Sequence, residues 1–167
     1  DGECLLEATV PHLLVRRHVA LEVIVIDDGS TDATGDILRR LASEDTRVRA
    51  TRVEHMPDGW LGKSHAWHVG ASLATGDWLL FIDADSYPEP GLFADVASTI
   101  GSGTCFAGGS TVRLDGTTRA LRWGSALWNL ISRSTRSPAG SFFFCETGLF
   151  RAVGGFNQEL FASEELD

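Results

Sequence analysis

The feature that most constrains the fold is an alternation of short strand-like runs with segments of helical periodicity. LEVIVIDDGS at residues 21–30 and DWLLFIDAD at residues 77–85 are largely apolar until each ends in acidic residues, and RVRATRVEH at residues 47–55 lies between them. Continuous apolar strands separated by helices are typical of a mostly parallel sheet that is covered on both faces. The sequence therefore predicts an α/β fold.

Three segments are predicted as helices. They are residues 1–18, residues 30–44, which begin with Ser and Thr side chains suited to capping, and residues 62–75. Apolar positions recur in each at spacings of three and four, which indicates one buried face per helix. These faces consist of Leu5, Leu6, Val10, Leu13, Leu14, Ile37, Leu38, Leu41, Ala66, Val69, Gly70 and Leu73.

The composition is that of a soluble globular protein. The 167 residues are 43% hydrophobic, so we expect a single domain over residues 1–167. The net charge of −9 argues against nucleic acid as a partner. Three widely spaced cysteines without a CxxC pair indicate a reducing, cytoplasmic compartment. No apolar run reaches the roughly 18 residues of a membrane-spanning helix.

Acidic residues follow two of the predicted strands directly. Asp27 and Asp28 end the first run, and Asp83 and Asp85 end the third. Ligands of parallel α/β sheets bind beyond the carboxyl ends of the strands, so these four acids are expected at one edge. The structural alternative for the first pair is ordinary loop and cap chemistry, because Asp, Gly and Ser are common after any strand.

The common phosphate-binding loops are missing from the sequence. DDGSTDATG does not match GxGxxG, and no GxxxxGK[ST] segment occurs. A nucleotide at this edge would therefore be held by the acids and a metal ion. Carboxylates accept hydrogen bonds from base and ribose groups and bind hard divalent ions that bridge a diphosphate. The expected cofactor is Mg²⁺ or Mn²⁺, which neutralises a leaving diphosphate.

Several motifs occur in the order found in one known family. They are VIVIDDGSTDAT, GK with Ala and Gly following, ATGDWLLFIDADS, AVGGFNQEL and a terminal acidic pair. With these motifs the chain resembles family-2 glycosyltransferases of the GT-A fold over nearly its whole length. The resemblance implies a Rossmann-like sandwich with a mostly parallel central sheet, truncated at both ends. It assigns residues 1–100 to nucleotide-sugar binding and residues 101–167 to the acceptor side.

The resemblance implies inverting transfer of a sugar from a nucleoside-diphosphate sugar, with UDP as the family's preference, to a hydroxyl acceptor. Gly59-Trp60 ahead of Gly62-Lys63 is similar to members that glycosylate lipids, such as ceramide, hopanoid and carotenoid glycosyltransferases. A lipid or a cell-envelope glycan is accordingly one expected class of acceptor.

The family's roles carry over to particular residues of this sequence. By resemblance, Asp27 and Asp28 would meet the base and ribose, and Lys63 would lie near the base or diphosphate. Asp83 and Asp85 correspond to the DxD motif, with Asp85 in direct contact with the metal. Asp83 would contact the ribose or a metal-bound water.

The same resemblance aligns Glu165 with the catalytic base and Glu164 with its neighbour. An inverting transferase needs a carboxylate that takes the proton of the acceptor hydroxyl. The alternative for this pair is a solvated acidic start of a helix.

Residues 113–136 depart from the acidic background, since they hold a single acid and several arginines, namely Arg113, Arg119, Arg122, Arg133 and Arg136. An apolar helical face in the same stretch is formed by Leu121, Gly124, Leu127, Trp128 and Ile131. Two interpretations remain open. Either the helix packs in the core with a solvated basic side, or it lies peripherally at a membrane surface or under a lipid acceptor.

Three further hypotheses compete with these assignments. His65 and His68 share a helical face and invite a metal site, but no further ligand is spaced to complete it. FIDADS also resembles the start of haloacid-dehalogenase-type phosphatases, with Asp83 as the nucleophile, although Lys63 then lies on the wrong side of the motif. A non-catalytic relative that only binds nucleotide sugar is the remaining alternative.

Overall fold

The computed structural model describes residues 2–15, 19–89, 91–111, 119–135 and 142–156. The described helices are α1 (Gly2–Leu14), α2 (Thr34–Glu44), α3 (Gly62–Leu73), α4 (Leu92–Gly101), α5 (Arg119–Thr135) and α6 (Thr147–Ala152). The described strands are β1 (Val23–Asp27), β2 (Val48–Arg52), β3 (Trp78–Ile82), β4 (Ala107–Gly109) and β5 (Phe142–Glu146). The predicted α/β class is confirmed, and each predicted helix or strand appears with shorter bounds.

The strands form one parallel and two antiparallel ladders. β1 pairs in parallel with β2, so that Asp27 lies opposite Arg52. β5 lies between β3 and β4 and runs antiparallel to both, with Phe81 opposite Phe143. Within the described residues, the expected parallel pairing is therefore met by β1 and β2 alone. Sequence analysis did not predict β5, and the apolar character of a strand indicates its burial but not its direction.

Apolar faces of α1 and α2 pack against the β1–β2 pair. Their shared core contains Leu6, Val10, Leu13, Val23, Leu38, Leu41 and Val48, each at most 9% exposed. This cluster confirms the faces predicted from spacing for α1 and α2, whereas the buried residues of α3 are His65 and Ala71, outside its predicted face. Around β3 and β5 the core is aromatic, and the rings of Phe81 and Phe143 stack with centroids 4.4 Å apart. Burial of these side chains supplies the main stabilising term.

A cavity of about 350 Å³ lies between β1 and β3. Consecutive residues of both strands line it, α1 and α3 contribute apolar side chains, and it extends to Lys63 and Asp83. The space thus runs from the apolar interior to the edge at which the acidic residues lie.

One local prediction was wrong. The start of α2 has no Ser or Thr cap: its N-cap residue is Ala33, which makes no capping bond through its side chain. Instead, Oδ1 of Asp32 accepts a 3.1 Å hydrogen bond from the Thr34 N–H. The helix begins later than Ser30 and Thr31, so the carboxylate is the acceptor within reach of the first turn.

Candidate functional site

Asp27 lies at the carboxyl end of β1 and is buried, with a residue exposure of 5%. Its Oδ1 accepts a 2.8 Å hydrogen bond from the Ser30 N–H, and its Oδ2 lies 3.3 Å from Nη1 of Arg52. A buried carboxylate needs such partners, because an unpaired charge in the interior is costly. Asp27 therefore holds the loop after β1 in place. Both of its carboxylate oxygens are contacted by groups of the protein itself, namely Ser30 and Arg52.

Asp28 follows β1 and is exposed at the same edge. Its Oδ2 approaches the first residue of α3 so closely that a Cβ atom on Gly62 would lie 2.9 Å from it. The N-terminal end of a helix carries unsatisfied N–H groups and a partial positive charge, which favour a nearby carboxylate. Only a glycine leaves room for Asp28 in this position.

Lys63 and Asp83 join α3 to the end of β3. The Nζ atom of Lys63 lies 2.9 Å from Oδ2 of Asp83, and both side chains are about one-quarter exposed, at 26% and 24%. The same ammonium lies 4.7 Å from the ring centroid of Trp67, within range of a cation–π interaction. The cation is thus held between a carboxylate and an aromatic face, with part of its surface open to a ligand.

Asp85 lies in a turn directly after β3. The Ser86 N–H donates a 3.0 Å hydrogen bond to the carbonyl oxygen of Asp83, so that Ala84 and Asp85 are the central residues of the turn. Asp85 is exposed, and the turn bond holds its backbone in place.

The predicted metal ligands fit a divalent ion that shares its coordination with a diphosphate. No group of three or more His, Cys, Asp or Glu side chains within the described residues is arranged to hold a metal ion. Mg²⁺ is commonly bound by one or two carboxylates together with substrate phosphates and water. Asp85 and Asp83 would supply such a pair of carboxylates, with Oδ2 of Asp83 lying 2.9 Å from Nζ of Lys63.

Sequence analysis missed three contributors to this edge. Arg52 is the last residue of β2 and reaches Asp27, Trp67 lies beneath the ammonium of Lys63, and Gly62 makes room for Asp28. Arg52 lies inside the predicted strand of residues 47–55, and only the structure shows that β2 ends at Arg52, opposite Asp27. The contacts of Trp67 and Gly62 depend on how α3 is placed and carry no local signal.

The two histidines of α3 pack beside an aromatic ring. Trp60 lies with its centroid 5.3 Å from that of His65 and 4.8 Å from that of His68. His65 is buried, at 8% exposure. On β5, burial raises the pKa of the Cys145 thiol to about 11, which keeps this thiol protonated at neutral pH.

The sequence model described as glycosyl transferase family 2 matches residues 2–153. The chain belongs to this family. The resemblance drawn from the motifs is thereby confirmed, and the family match argues against the phosphatase alternative.

Curated relatives in the family match about half of this chain. Glycosyltransferase GlyG of Streptococcus pneumoniae is 34% identical over 84 residues, which are 50% of this chain and 26% of that protein. The 4,4'-diaponeurosporenoate glycosyltransferase of Staphylococcus haemolyticus is 35% identical over 82 residues, which are 47% of this chain and 21% of that protein. The chain therefore matches only a minor part of each relative's length.

Two solved structures share the fold. The mannosyltransferase PcManGT from Pyrobaculum calidifontis, in complex with GDP-Man and Mn²⁺, superposes with a TM-score of 0.72 at 21% identity, covering 95% of this chain and 45% of that one. Residues 1–349 of TarS from S. aureus give a TM-score of 0.70 at 20% identity, covering 98% of this chain and 49% of that one. The GT-A glycosyltransferase fold expected from the motifs is confirmed.

The structure brings Asp27, Asp28, Lys63, Asp83 and Asp85 to the carboxyl ends of β1 and β3, at the start of α3. The expected catalytic base Glu165 and its neighbour Glu164 lie outside the described residues, and their roles stay predictions.

Proposed function

We propose that this chain forms the donor-binding part of an inverting, metal-dependent glycosyltransferase that uses a nucleoside-diphosphate sugar. The observation that carries the proposal is the ion pair of Lys63 with Asp83, placed beside Asp85 in a chain of family 2. It brings a cation for the diphosphate and carboxylates for a metal to the carboxyl end of β3. UDP is the proposed nucleotide, in keeping with the family's preference.

Each residue of the edge has a role in this proposal. Asp27 and Asp28 would meet the base and ribose, and Asp27 also keeps the loop after β1 in place through Ser30 and Arg52. Asp85 and Asp83 hold the divalent ion, and Lys63 faces the diphosphate. When bound, Mg²⁺ or Mn²⁺ supplies Lewis-acid stabilisation of the leaving group.

Transfer itself requires a base from the acceptor side. In the proposed step Glu165 takes the proton of the acceptor hydroxyl, with Glu164 beside it. The hydroxyl oxygen then forms a bond to the anomeric carbon while the bond to the diphosphate breaks. The diphosphate departs with the electron pair, and Lys63 compensates part of its charge. Residues 101–167 are assigned to the acceptor side on the basis of the family resemblance.

Titration calorimetry with a panel of nucleoside diphosphates, with and without Mn²⁺, tests the donor site. The full-length protein should bind one of them in a metal-dependent way, and Asp85→Ala should abolish that dependence while the fold is retained. Asp36→Ala is the matched control, because its carboxylate lies on the exposed side of α2 with 74% of the side chain accessible. Equal binding by wild type and Asp85→Ala would refute the metal assignment.

The alternative of a non-catalytic relative makes a different prediction for the same protein. A binding module would bind the nucleotide sugar but release no free nucleoside diphosphate in the presence of acceptors. Turnover that is lost in Glu165→Gln, with donor affinity unchanged, would exclude that alternative.

A lipid acceptor reached at a membrane surface is the second part of the proposal, and α5 supports it. Apolar side chains on this helix are exposed, with Trp123 at 77%, Leu127 at 59% and Leu130 at 63%, whereas the polar Ser125 is buried. Exposure of these apolar side chains favours the membrane-surface interpretation of α5 over packing in the core. Arg133 lies in the last turn of the same helix, where it can meet anionic head groups.

The relative named a diaponeurosporenoate glycosyltransferase adds support, because its name states a lipid-like acceptor. Within the described residues, none of the helices combines the length and the apolar character needed to cross a bilayer. On the basis of the exposed apolar side chains of α5, we propose peripheral contact through residues 113–136 at the cytoplasmic face of a membrane.

A further inference from the structure

Residues 83–89, which we call the acidic loop, are held from α1 as well as from α3. Oγ1 of Thr9 donates a 3.2 Å hydrogen bond to the carbonyl oxygen of Ala84, and Nε2 of His12 lies 3.3 Å from the carbonyl oxygen of Pro88. We propose that Thr9 and His12 are positioning residues that fix the acidic loop for metal and diphosphate binding. The identity of the ligands, a metal ion and a diphosphate, rests on the proposed function. The fixing of the acidic loop by Thr9 and His12 does not.

Thr9 is a polar residue on an apolar helix face. It is 3% exposed, and its neighbours on α1, Leu6 and Val10, belong to the core beneath the helix. A buried hydroxyl must find a hydrogen-bond partner, and a threonine within a helix often uses its own backbone. Thr9 instead reaches a carbonyl group 75 residues away in sequence. Valine would fill the same space, so packing alone does not require the hydroxyl.

The acceptor of the Thr9 hydrogen bond belongs to the peptide group that joins Ala84 to Asp85. That group is planar, so holding its carbonyl oxygen also orients the N–H of Asp85. The turn bond from the Ser86 N–H to the Asp83 carbonyl fixes the other side of Asp85. The direction in which the Asp85 carboxylate leaves the backbone is thus set by Thr9 together with the turn.

The two helices hold different parts of the acidic loop. Lys63 of α3 contacts the side chain of Asp83, whereas Thr9 and His12 of α1 each contact a backbone carbonyl group of the loop. Removal of the Thr9 hydroxyl should therefore release the backbone at Asp85 while the Lys63–Asp83 pair stays formed.

Backbone amide order parameters of the metal-free protein test the structural part. In Thr9→Val the values for Asp85 and Ser86 should fall from about 0.85 towards about 0.6. Thr9→Ser, which keeps a hydroxyl, should restore them. Thr99→Val is the matched control, because the Thr99 hydroxyl bonds within α4, to the Asp95 carbonyl oxygen at 2.7 Å. Order parameters in Thr9→Val equal to those of wild type would overturn the proposal.

Mn²⁺-dependent nucleotide binding by the full-length protein tests the functional part. Loss of one oriented hydrogen bond should weaken it about 5-fold to 10-fold in Thr9→Val, with recovery in Thr9→Ser. His12→Phe should weaken binding, and His12→Gln, which keeps a donor, should do so less. If wild type and Thr9→Val bind the nucleotide with equal affinity, the positioning role is refuted and the proposed function is not. Failure of wild type to bind any nucleoside diphosphate would instead refute the proposed function.

Discussion

Nζ of Lys63 lies 2.9 Å from Oδ2 of Asp83, which ties the first turn of α3 to the end of β3. Lys63 is the only lysine in the sequence. Because the proposed diphosphate lies against this cation, Lys63→Met should reduce nucleoside diphosphate affinity about 10-fold to 100-fold, as measured by titration calorimetry. Lys63→Arg, which retains the charge, should lose less. An affinity unchanged in Lys63→Met would remove the diphosphate role.

The same residue can be followed by amine-directed acylation, since Lys63 is the only lysine among residues 1–167. A bound nucleoside diphosphate should slow the acylation of Lys63, as measured by mass spectrometry of the peptide that contains it. The acylation rate without nucleotide serves as the reference, and an unchanged rate would contradict a diphosphate beside Lys63.

Gly62→Ala separates the position of Asp28 from the stability of the fold. The added Cβ atom would lie 2.9 Å from Oδ2 of Asp28, and the carboxylate can rotate away at little cost. We expect the free energy of unfolding to change by less than about 0.5 kcal/mol, and nucleotide affinity to fall several-fold. Gly91→Ala is the control, because no atom lies within 4 Å of its added Cβ atom. Equal affinities in both variants would count against a ligand role for Asp28.

Gly108→Ala should destabilise the β4–β5 pair. Its Cβ atom would lie 2.7 Å from Cζ of Phe144, a buried ring at 5% exposure. Overpacking of this kind costs about 1–3 kcal/mol, to be measured by urea unfolding. Phe144→Leu should relieve the clash, so the double variant should be more stable than the sum of the single changes predicts. Strict additivity would contradict the contact.

Glu22 links the start of β1 to the loop ahead of β3. Its Oε1 accepts hydrogen bonds from the Thr75 N–H at 2.6 Å, the Thr75 hydroxyl at 2.9 Å and the Gly76 N–H at 3.0 Å. Partial burial alone would raise the pKa of Glu22, but these bonds and the charge of Arg49 outweigh it and lower the pKa. The carboxylate therefore stabilises the fold in its ionised form.

The stabilisation by Glu22 is present above the unfolded pKa of about 4.3 and is lost as the pH falls through the lower folded pKa. Glu22→Gln should reduce the free energy of unfolding by about 1–2 kcal/mol at pH 7, and the difference should shrink as the pH falls below about 4. Denaturant unfolding across this range measures it. Glu44→Gln is the control. The Glu44 carboxylate is exposed and lies 3.4 Å from the exposed guanidinium of Arg40, so we expect its replacement to have little effect on stability. A pH-independent difference would contradict the linkage.

Exposed apolar side chains of α5 should bind lipid. Wild type should float with anionic liposomes, and Trp123→Ser with Leu127→Ser should abolish flotation. Phe106→Ser is the matched control, because Phe106 is equally exposed, at 63%, but lies outside α5. Equal flotation of wild type and the α5 variant, or none at all, would remove the membrane-surface proposal.

Local patterns were sufficient for the elements that bury one face. The apolar spacing of α1 and α2 predicted the side chains that pack on β1 and β2, including Val10 and Leu38 at 2% exposure. Such patterns succeed because helical periodicity and burial are read from neighbours in sequence. The short strand β4, Ala107–Gly109, was not predicted, since two of its three residues are glycines with no strand preference.

The sequence by itself determined the family, the α/β class and the acids that end β1 and β3. Residue type and strand position carry that information, and both are local. Only the tertiary structure decided which oxygen each hydrogen-bond donor meets. Arg52 reaches Asp27, Lys63 reaches Asp83, and the Thr9 hydroxyl reaches the acidic loop. These contacts join residues 20 to 75 positions apart, so they depend on how the helices and strands pack against one another.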